Sequence, residues 1–154
     1  MKSYLRVLTI FLLSGCIAAS AQGTKYEAEN GTLTGALSVQ TSAAGFSGTG
    51  YVGIFQNDGD AVTLTFTLAQ GGWYSLWIGY AGPYGDKKNI LGINGSTAEA
   101  SFPASATFSE VSFGKILLRQ GTNTLSMTKS WGWFLLDYFR IEPATDPEIN
   151  VQLP

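Results

Sequence analysis

Glu27 and Glu29 stand two positions apart in Tyr26-Glu27-Ala28-Glu29-Asn30-Gly31, so an extended backbone sends both carboxylates out of one face. Like charges so placed repel unless something positive sits between them. A solvated edge strand, with its acids in water, accounts for the pair without any ligand. A hard cation accounts for it as well, because calcium takes about six to eight oxygens and favours carboxylates combined with carbonyls of a glycine-rich loop. Gly45-Phe46-Ser47-Gly48-Thr49-Gly50 is such a loop, and Asp137, set between Leu136 and Tyr138 in an apolar strand, is a third carboxylate whose charge is costly unless paired. The chain has no histidine, which favours calcium over zinc.

A second group of residues is aromatic. Trp131-Gly132-Trp133 precedes the last strand, and the stretch from Tyr80 to Asn89 reads as a long loop carrying Tyr84, Asp86, Lys88 and Asn89. Core packing explains many tryptophans, and one of this pair can serve it. A loop tryptophan beside glycine is harder to bury, and exposed aromatics next to amide and ammonium donors suit a sugar ring. The C–H face of the sugar stacks on indole while Asn89 and Lys88 reach its hydroxyls and Tyr80 forms the floor. Trp73 and Trp77 pose the same question on another strand, where they either line a concave sheet face or fill the interior.

The elements that must position these groups are strands. Val62, Leu64, Phe66 and Leu68 alternate with Thr63, Thr65 and Thr67, the period of a strand with one buried and one wet face. Tyr74, Leu76, Ile78 and Tyr80 repeat the pattern, joined to the first run by a Gly71-Gly72 hairpin. Asn94-Gly95 marks a tight hairpin. Further strands are expected at Lys25–Glu29, Leu37–Gln40, Tyr51–Ile54, Val111–Leu118, Asn123–Thr128 and Phe134–Ile141. No window carries a capped helical stripe. About nine short strands with regular turn signals predict an all-β fold, an antiparallel β-sandwich of jelly-roll type.

Composition excludes several functions. The 154 residues suffice for about one domain, and 9 Lys plus Arg against 11 Asp plus Glu, with no basic block, argue against nucleic acid as a partner. Without histidine there is no Ser-His-Asp or Cys-His arrangement. The single cysteine, Cys16, lies in the N-terminal segment. There Lys2 and Arg6, the apolar run Val7 to Leu13 and Ala19-Ser20-Ala21 form a secretory signal over residues 1–21. Leu13-Ser14-Gly15-Cys16 offers a competing lipoprotein signal over residues 1–15 with Cys16 lipidated. The first route gives a secreted protein and the second a lipid anchor at the cell surface. No later segment is long enough to span a membrane. Residues 24–143 form the folded module, and the proline-punctuated residues 144–154 read as a linker or tail.

The pieces Tyr26–Gly31, Gly50-Tyr51-Val52-Gly53, Gly59-Asp60-Ala61-Val62, Tyr74–Ala81, Gly121–Leu125 and Trp131–Ile141 together resemble carbohydrate-binding module family 35, over Tyr26 to about Pro143. The resemblance implies a non-catalytic jelly-roll module, commonly appended to a glycoside hydrolase, that binds plant polysaccharide. It implies a structural calcium on Glu27, Glu29 and Asp137, and a sugar site in loops at one end, here Tyr80, Tyr84, Lys88, Asn89, Trp131 and Trp133. Uronate-binding members carry asparagine where this chain has Leu135. The Trp-Gly-Trp form with Phe102-Pro103-Ala104-Ser105 is more similar to modules attached to β-mannanases, which makes β-mannan, glucomannan or galactomannan the expected ligand ahead of xylan, galactan or uronate. Two other classes compete: a hydrolase in its own right, for which Asp86 is the only acid in the aromatic loops, and a surface lipoprotein that captures glycans.

Overall fold

The computed structural model describes residues 23–145; both competing signal segments lie outside them, as do residues 146–154 of the expected tail. Eleven strands and one 3-10 turn follow in order: β1 (Thr24–Glu27), the turn Ala28–Asn30, β2 (Thr32–Thr34), β3 (Ser38–Gln40), β4 (Tyr51–Gly53), β5 (Ala61–Leu68), β6 (Gly72–Gly82), β7 (Lys87–Ile93), β8 (Ser96–Phe102), β9 (Ser105–Leu118), β10 (Gly121–Trp131) and β11 (Leu135–Pro143). They form two antiparallel sheets. One runs β3-β4-β11-β6-β9, with β1 also paired to β11, and the other runs β2-β5-β10-β7-β8. This is the expected jelly-roll sandwich.

Alternation builds the core. Val62, Leu64 and Phe66 of β5, Leu125 and Met127 of β10, Leu76, Ile78 and Tyr80 of β6, and Leu136, Phe139 and Ile141 of β11 pack between the sheets. The opposite face of β5 and β10 pairs hydroxyls, Thr65 across from Thr124 and Thr63 across from Ser126. Asn94 and Gly95 both have positive φ, 49° and 89°, which is the backbone of the tight hairpin between β7 and β8.

Two expectations about connections fail. Gly71-Gly72 does not close a hairpin: β5 and β6 lie in different sheets, because each buries its apolar face in the same core from opposite sides. The long loop from Tyr80 to Asn89 is a turn of four residues, since β6 runs to Gly82 and β7 begins at Lys87. Ala144 and Thr145, the first residues of the expected linker or tail, hydrogen-bond to the domain, Ala144 N–H to Trp73 O at 2.8 Å and Lys115 Nζ to Thr145 O at 2.9 Å.

The glycine-rich motif pieces position turns through buried polar groups. Asp60 accepts Ala36 N–H at 2.9 Å on one oxygen and Gln56 and Asn57 N–H at 2.9 and 2.8 Å on the other. Gly35, at φ +85°, is required beside it because a Cβ there would lie 2.0 Å from Asp60 Oδ1. Asn123 bonds Arg119 N–H, Arg119 O, Gly121 O and the Asn94 amide, satisfying its buried group completely.

Candidate functional site

The carboxylate cluster forms differently from the strand face expected. Glu27 ends β1, but the chain then turns into the 3-10 segment, so Glu29 sits on a turn instead of the same strand. Both still meet the glycine-rich loop. Ser47 Oγ donates to Glu27 Oε1 at 2.6 Å, and Thr49 N–H and Gly50 N–H donate to Glu29 Oε1 at 2.8 and 3.2 Å. Asp137 is the extra residue of a bulge: Leu136 stands opposite Tyr80, while Tyr138 stands opposite Gly79. It is 2% exposed, and Ser47 N–H bonds both its oxygens.

This cluster is electrostatically unfinished. Burial, together with the nearby charges of Glu27 and Glu29, raises the Asp137 carboxyl to about 6, against the lowering pull of the Ser47 N–H and Lys25. Glu27 Oε2 and Glu29 Oε2 are buried without a hydrogen-bond partner. Gly48, at φ +65°, passes so close that a Cβ would meet Glu29 Oε1 at 2.4 Å. Among the described residues, no three acidic side chains close a metal cage by themselves. A hard cation here therefore needs main-chain oxygens as well, as calcium sites ordinarily do.

The aromatic end of the sandwich presents Tyr84, Trp131 and Trp133, which are 66%, 63% and 50% exposed. Trp133 and Tyr84 meet edge to face with ring centroids 6.5 Å apart. Lys87 ties the group together: its Nζ donates to Tyr84 O at 2.8 Å and lies 5.4 Å from the Trp131 ring centroid. Gly132 makes that approach possible, since at φ +104° a Cβ would stand 2.2 Å from Lys87 Cδ. Asp86 accepts Ala104 N–H at 2.7 Å, anchoring the β6–β7 turn to the β8–β9 connection. The platform is thus pinned at both ends.

A cleft opens beside each half of this turn. A smaller one of about 200 Å³ lies between Asp86, Lys87, Lys88, Ser101, Pro103 and Trp131. A larger one of about 540 Å³ is bounded by Pro83, Tyr84 and Leu135 together with Gln40, Ser42, Tyr51, Thr107 and Phe108. Of these last five, only Tyr51 falls in a motif piece of the sequence. Gln40, Tyr51, Thr107 and Phe108 are strand residues and Ser42 lies in a connection, and only the joining of β3, β4 and β9 into one sheet brings them beside Tyr84.

Of the other expected sugar contacts, Lys88 borders the smaller cleft, whereas Asn89 and Tyr80 are buried. Lys88 belongs to β7, and its ammonium pairs with Glu99 at 2.6 Å while remaining half-exposed at the smaller cleft. Asn89, the next residue, points inward and is completely buried, because neighbours in a strand face opposite ways. Tyr80 is a core residue, packed on Phe102 with centroids 5.0 Å apart and donating its hydroxyl to Pro103 O at 2.7 Å. It supports the smaller cleft from beneath. Trp77 lies on the outer face of its sheet, where the Arg140 guanidinium stacks 4.1 Å from its ring centroid and in turn bonds Glu110 at 2.6 and 2.7 Å. That ring is already occupied by the protein's own cation.

Comparison with known proteins bears on the family and the fold. The sequence model for Carbohydrate binding module (family 35) matches residues 24–144. Mannan endo-1,4-beta-mannosidase B of a Piromyces species is 40% identical over 145 residues, covering 94% of this chain and 25% of the relative. A mannan endo-1,4-beta-mannosidase of Thermothelomyces thermophilus is 37% identical over 134 residues, covering 86% of this chain and 28% of the relative. The chain thus spans about a quarter of the length of these relatives. Among solved structures, the Podospora anserina GH26-CBM35 beta-(1,4)-mannanase superposes with a TM-score of 0.77 at 35% identity, over 84% of this chain and 29% of that one. The CBM35 of Paenibacillus barcinonensis superposes at 0.70 and 25% identity, over 79% of this chain and 100% of that one. With its sandwich, its motif residues and these relatives in agreement, the chain belongs to carbohydrate-binding module family 35, a family of non-catalytic binding modules.

Proposed function

We propose that this module holds β-mannan, glucomannan or galactomannan on the platform of Tyr84, Trp131 and Trp133, with Lys88 at the flank of the smaller cleft. The observation that carries this reading is the exposure of three aromatic rings at one end of the sandwich, around a β6–β7 turn held by Lys87 and Asp86. A preformed platform binds without the cost of ordering a loop. The mannanase relatives support mannan as the polymer. Each indole face covers roughly 60–100 Å² of apolar surface against a pyranose, worth about 1.5–2.5 kcal/mol at ~25 cal/mol/Å². Two stacks and a few hydrogen bonds, set against the ordering of the glycan, give a Kd between about 10 µM and 1 mM. Affinity electrophoresis in mannan, xylan, galactan and polyuronate gels tests the proposal. Retardation confined to mannans supports it, and migration unaltered by mannan overturns it.

Calcium is the second part of the proposal. Glu27, Glu29 and Asp137 would hold it, and the partnerless Glu27 Oε2 and Glu29 Oε2 fit such a role. When bound, it supplies the positive charge that three clustered carboxylates need. The chain's own contribution is to fix the Gly45–Gly50 loop against β11 through the Ser47 N–H, against β1 through Ser47 Oγ, and against the 3-10 turn through the Thr49 and Gly50 N–H groups. Secretion, and attachment to a glycoside hydrolase domain that cuts what the module holds, complete the reading. The mannanase relatives, several times longer than this chain, support both.

A further inference from the structure

Trp131 faces solvent only because β10 contains one extra residue. Along β10, Asn123, Leu125 and Met127 point into the core and Thr124, Ser126 and Thr128 point out, so a regular strand would turn Trp131 inward. The pairing breaks that rule. Lys129 stands opposite Asn89, yet Trp131, two residues on, stands opposite Lys88, only one residue on. Ser130 is therefore a bulge residue, and Trp131 shares the outer face with Lys88 and, one strand further, Ser101. These three border the smaller cleft.

A bulge leaves a backbone N–H without its ladder partner, and here the partner is a side chain: Ser130 N–H donates to Asn89 Oδ1 at 3.0 Å. The network fixes the amide orientation, since only the oxygen can accept. Asn89 is fully buried, and its Nδ2 has no hydrogen-bond partner. A buried amide with an unpaired donor costs stability that a similarly sized apolar side chain would not. What offsets that cost is the hydrogen bond its oxygen accepts from Ser130 N–H.

We propose that Asn89 is a positioning residue of the glycan site: its carbonyl oxygen stabilises the Ser130 bulge and so turns Trp131 out onto the platform. It never touches the sugar. The inference rests on the proposed role of Trp131 in glycan binding, but its structural half stands apart from any ligand.

The test replaces Asn89 with Leu, deletes Ser130, and combines the two changes. Asn89→Leu removes the acceptor, so the ladder regularises by slipping and Trp131 moves inward. Mannohexaose affinity should then fall tenfold or more, matching Trp131→Ala, and acrylamide should quench the Trp131 contribution less. Deleting Ser130 in the Asn89→Leu background makes a regular ladder in which Trp131 pairs with Lys88 with no need of the amide, so affinity should return to within threefold of wild type. A purely structural asparagine would not be rescued this way. An Asn89→Leu protein that folds with Trp131 quenching and affinity unchanged overturns the proposal. Should Asn89→Leu fail to fold, amide exchange in the unaltered protein decides: strong protection of Ser130 N–H supports the assignment, and loop-like exchange rejects it. If Trp131→Ala binds mannohexaose as well as wild type, the glycan reading fails, while quenching and exchange still judge Asn89.

Discussion

The backbone N–H of Ser47 is shared by both carboxylate oxygens of Asp137, at 3.0 and 3.1 Å, across 90 residues of chain. One neutral donor and the charge of Lys25 are set against burial and two nearby glutamates. Chelation should lower the melting temperature, and calcium at about a hundred times its Kd should restore about 2.7 kcal/mol, on the order of 10 °C for a domain this size. Asp137→Ala should abolish the response, whereas Asp58→Ala, which alters a side chain 93% exposed, should leave it intact. A melting curve indifferent to verified metal removal would sink the site.

Trp131 and Trp133 are exposed enough that truncation should spare the fold. Each alanine variant should melt within the ~0.5 kcal/mol typical of surface substitutions while losing roughly 10- to 60-fold in mannan affinity, the equivalent of one stacked ring. Calorimetry with mannohexaose beside a thermal melt reads both quantities. Retained affinity in both variants would move attention to the larger cleft beneath Tyr84.

Gly132→Ala should act on the site more than on the fold. At φ +104° an added Cβ is strained by about 1–3 kcal/mol and collides with Lys87 Cδ. Lys87 would be displaced from the Trp131 ring, so mannan affinity should drop at least threefold. A variant that melts lower but binds as before would show that the Lys87 contact is incidental.

Asp60 predicts the acid limb of stability. The Ala36 N–H first, then those of Asn57 and Gln56, with Lys129 beyond them, hold its carboxyl below the ordinary aspartate value against the opposing effect of burial. A group depressed in the folded state gives stability that is complete above its unfolded pKa, about 4, and lost as the pH falls through the lower folded value. Asp60→Asn should therefore melt lower than wild type at pH 7, and the gap should narrow below about pH 4. Melting curves from pH 2 to 7 measure it, and a constant gap would contradict the assignment.

The alternation of Val62, Leu64 and Phe66, and of Leu76, Ile78 and Tyr80, was enough to read the sandwich, because each strand has one apolar face and the period is two. The same regularity misleads where it is interrupted. Glu29 belongs to a 3-10 turn that spacing alone cannot distinguish from a strand, and the bulges at Ser130 and Asp137 exist only in pairing with another strand. Lys88 and Asn89 looked equivalent as loop polar residues, yet one strand step separates an exposed ion pair from a buried amide. The exposed Tyr84, Trp131 and Trp133 were legible through the glycines and the turn beside them. Gln40, Ser42 and Thr107 were not, because their nearness to Tyr84 is a product of sheet order.

Among the described strands β11, at the middle of the larger sheet, comes last in sequence, and β1, β4 and β6 all hydrogen-bond to it. On the ribosome those three must wait for residues 135–143 to emerge, and the opening strand then has to find its partner at the far end of the chain. Closing so long a loop is slow and must precede the contacts that reward it. This half of the sandwich is therefore completed only after residues 135–143 have left the ribosomal exit tunnel, and a nascent chain cut short before them leaves β1 and β4 without the strand they both pair with.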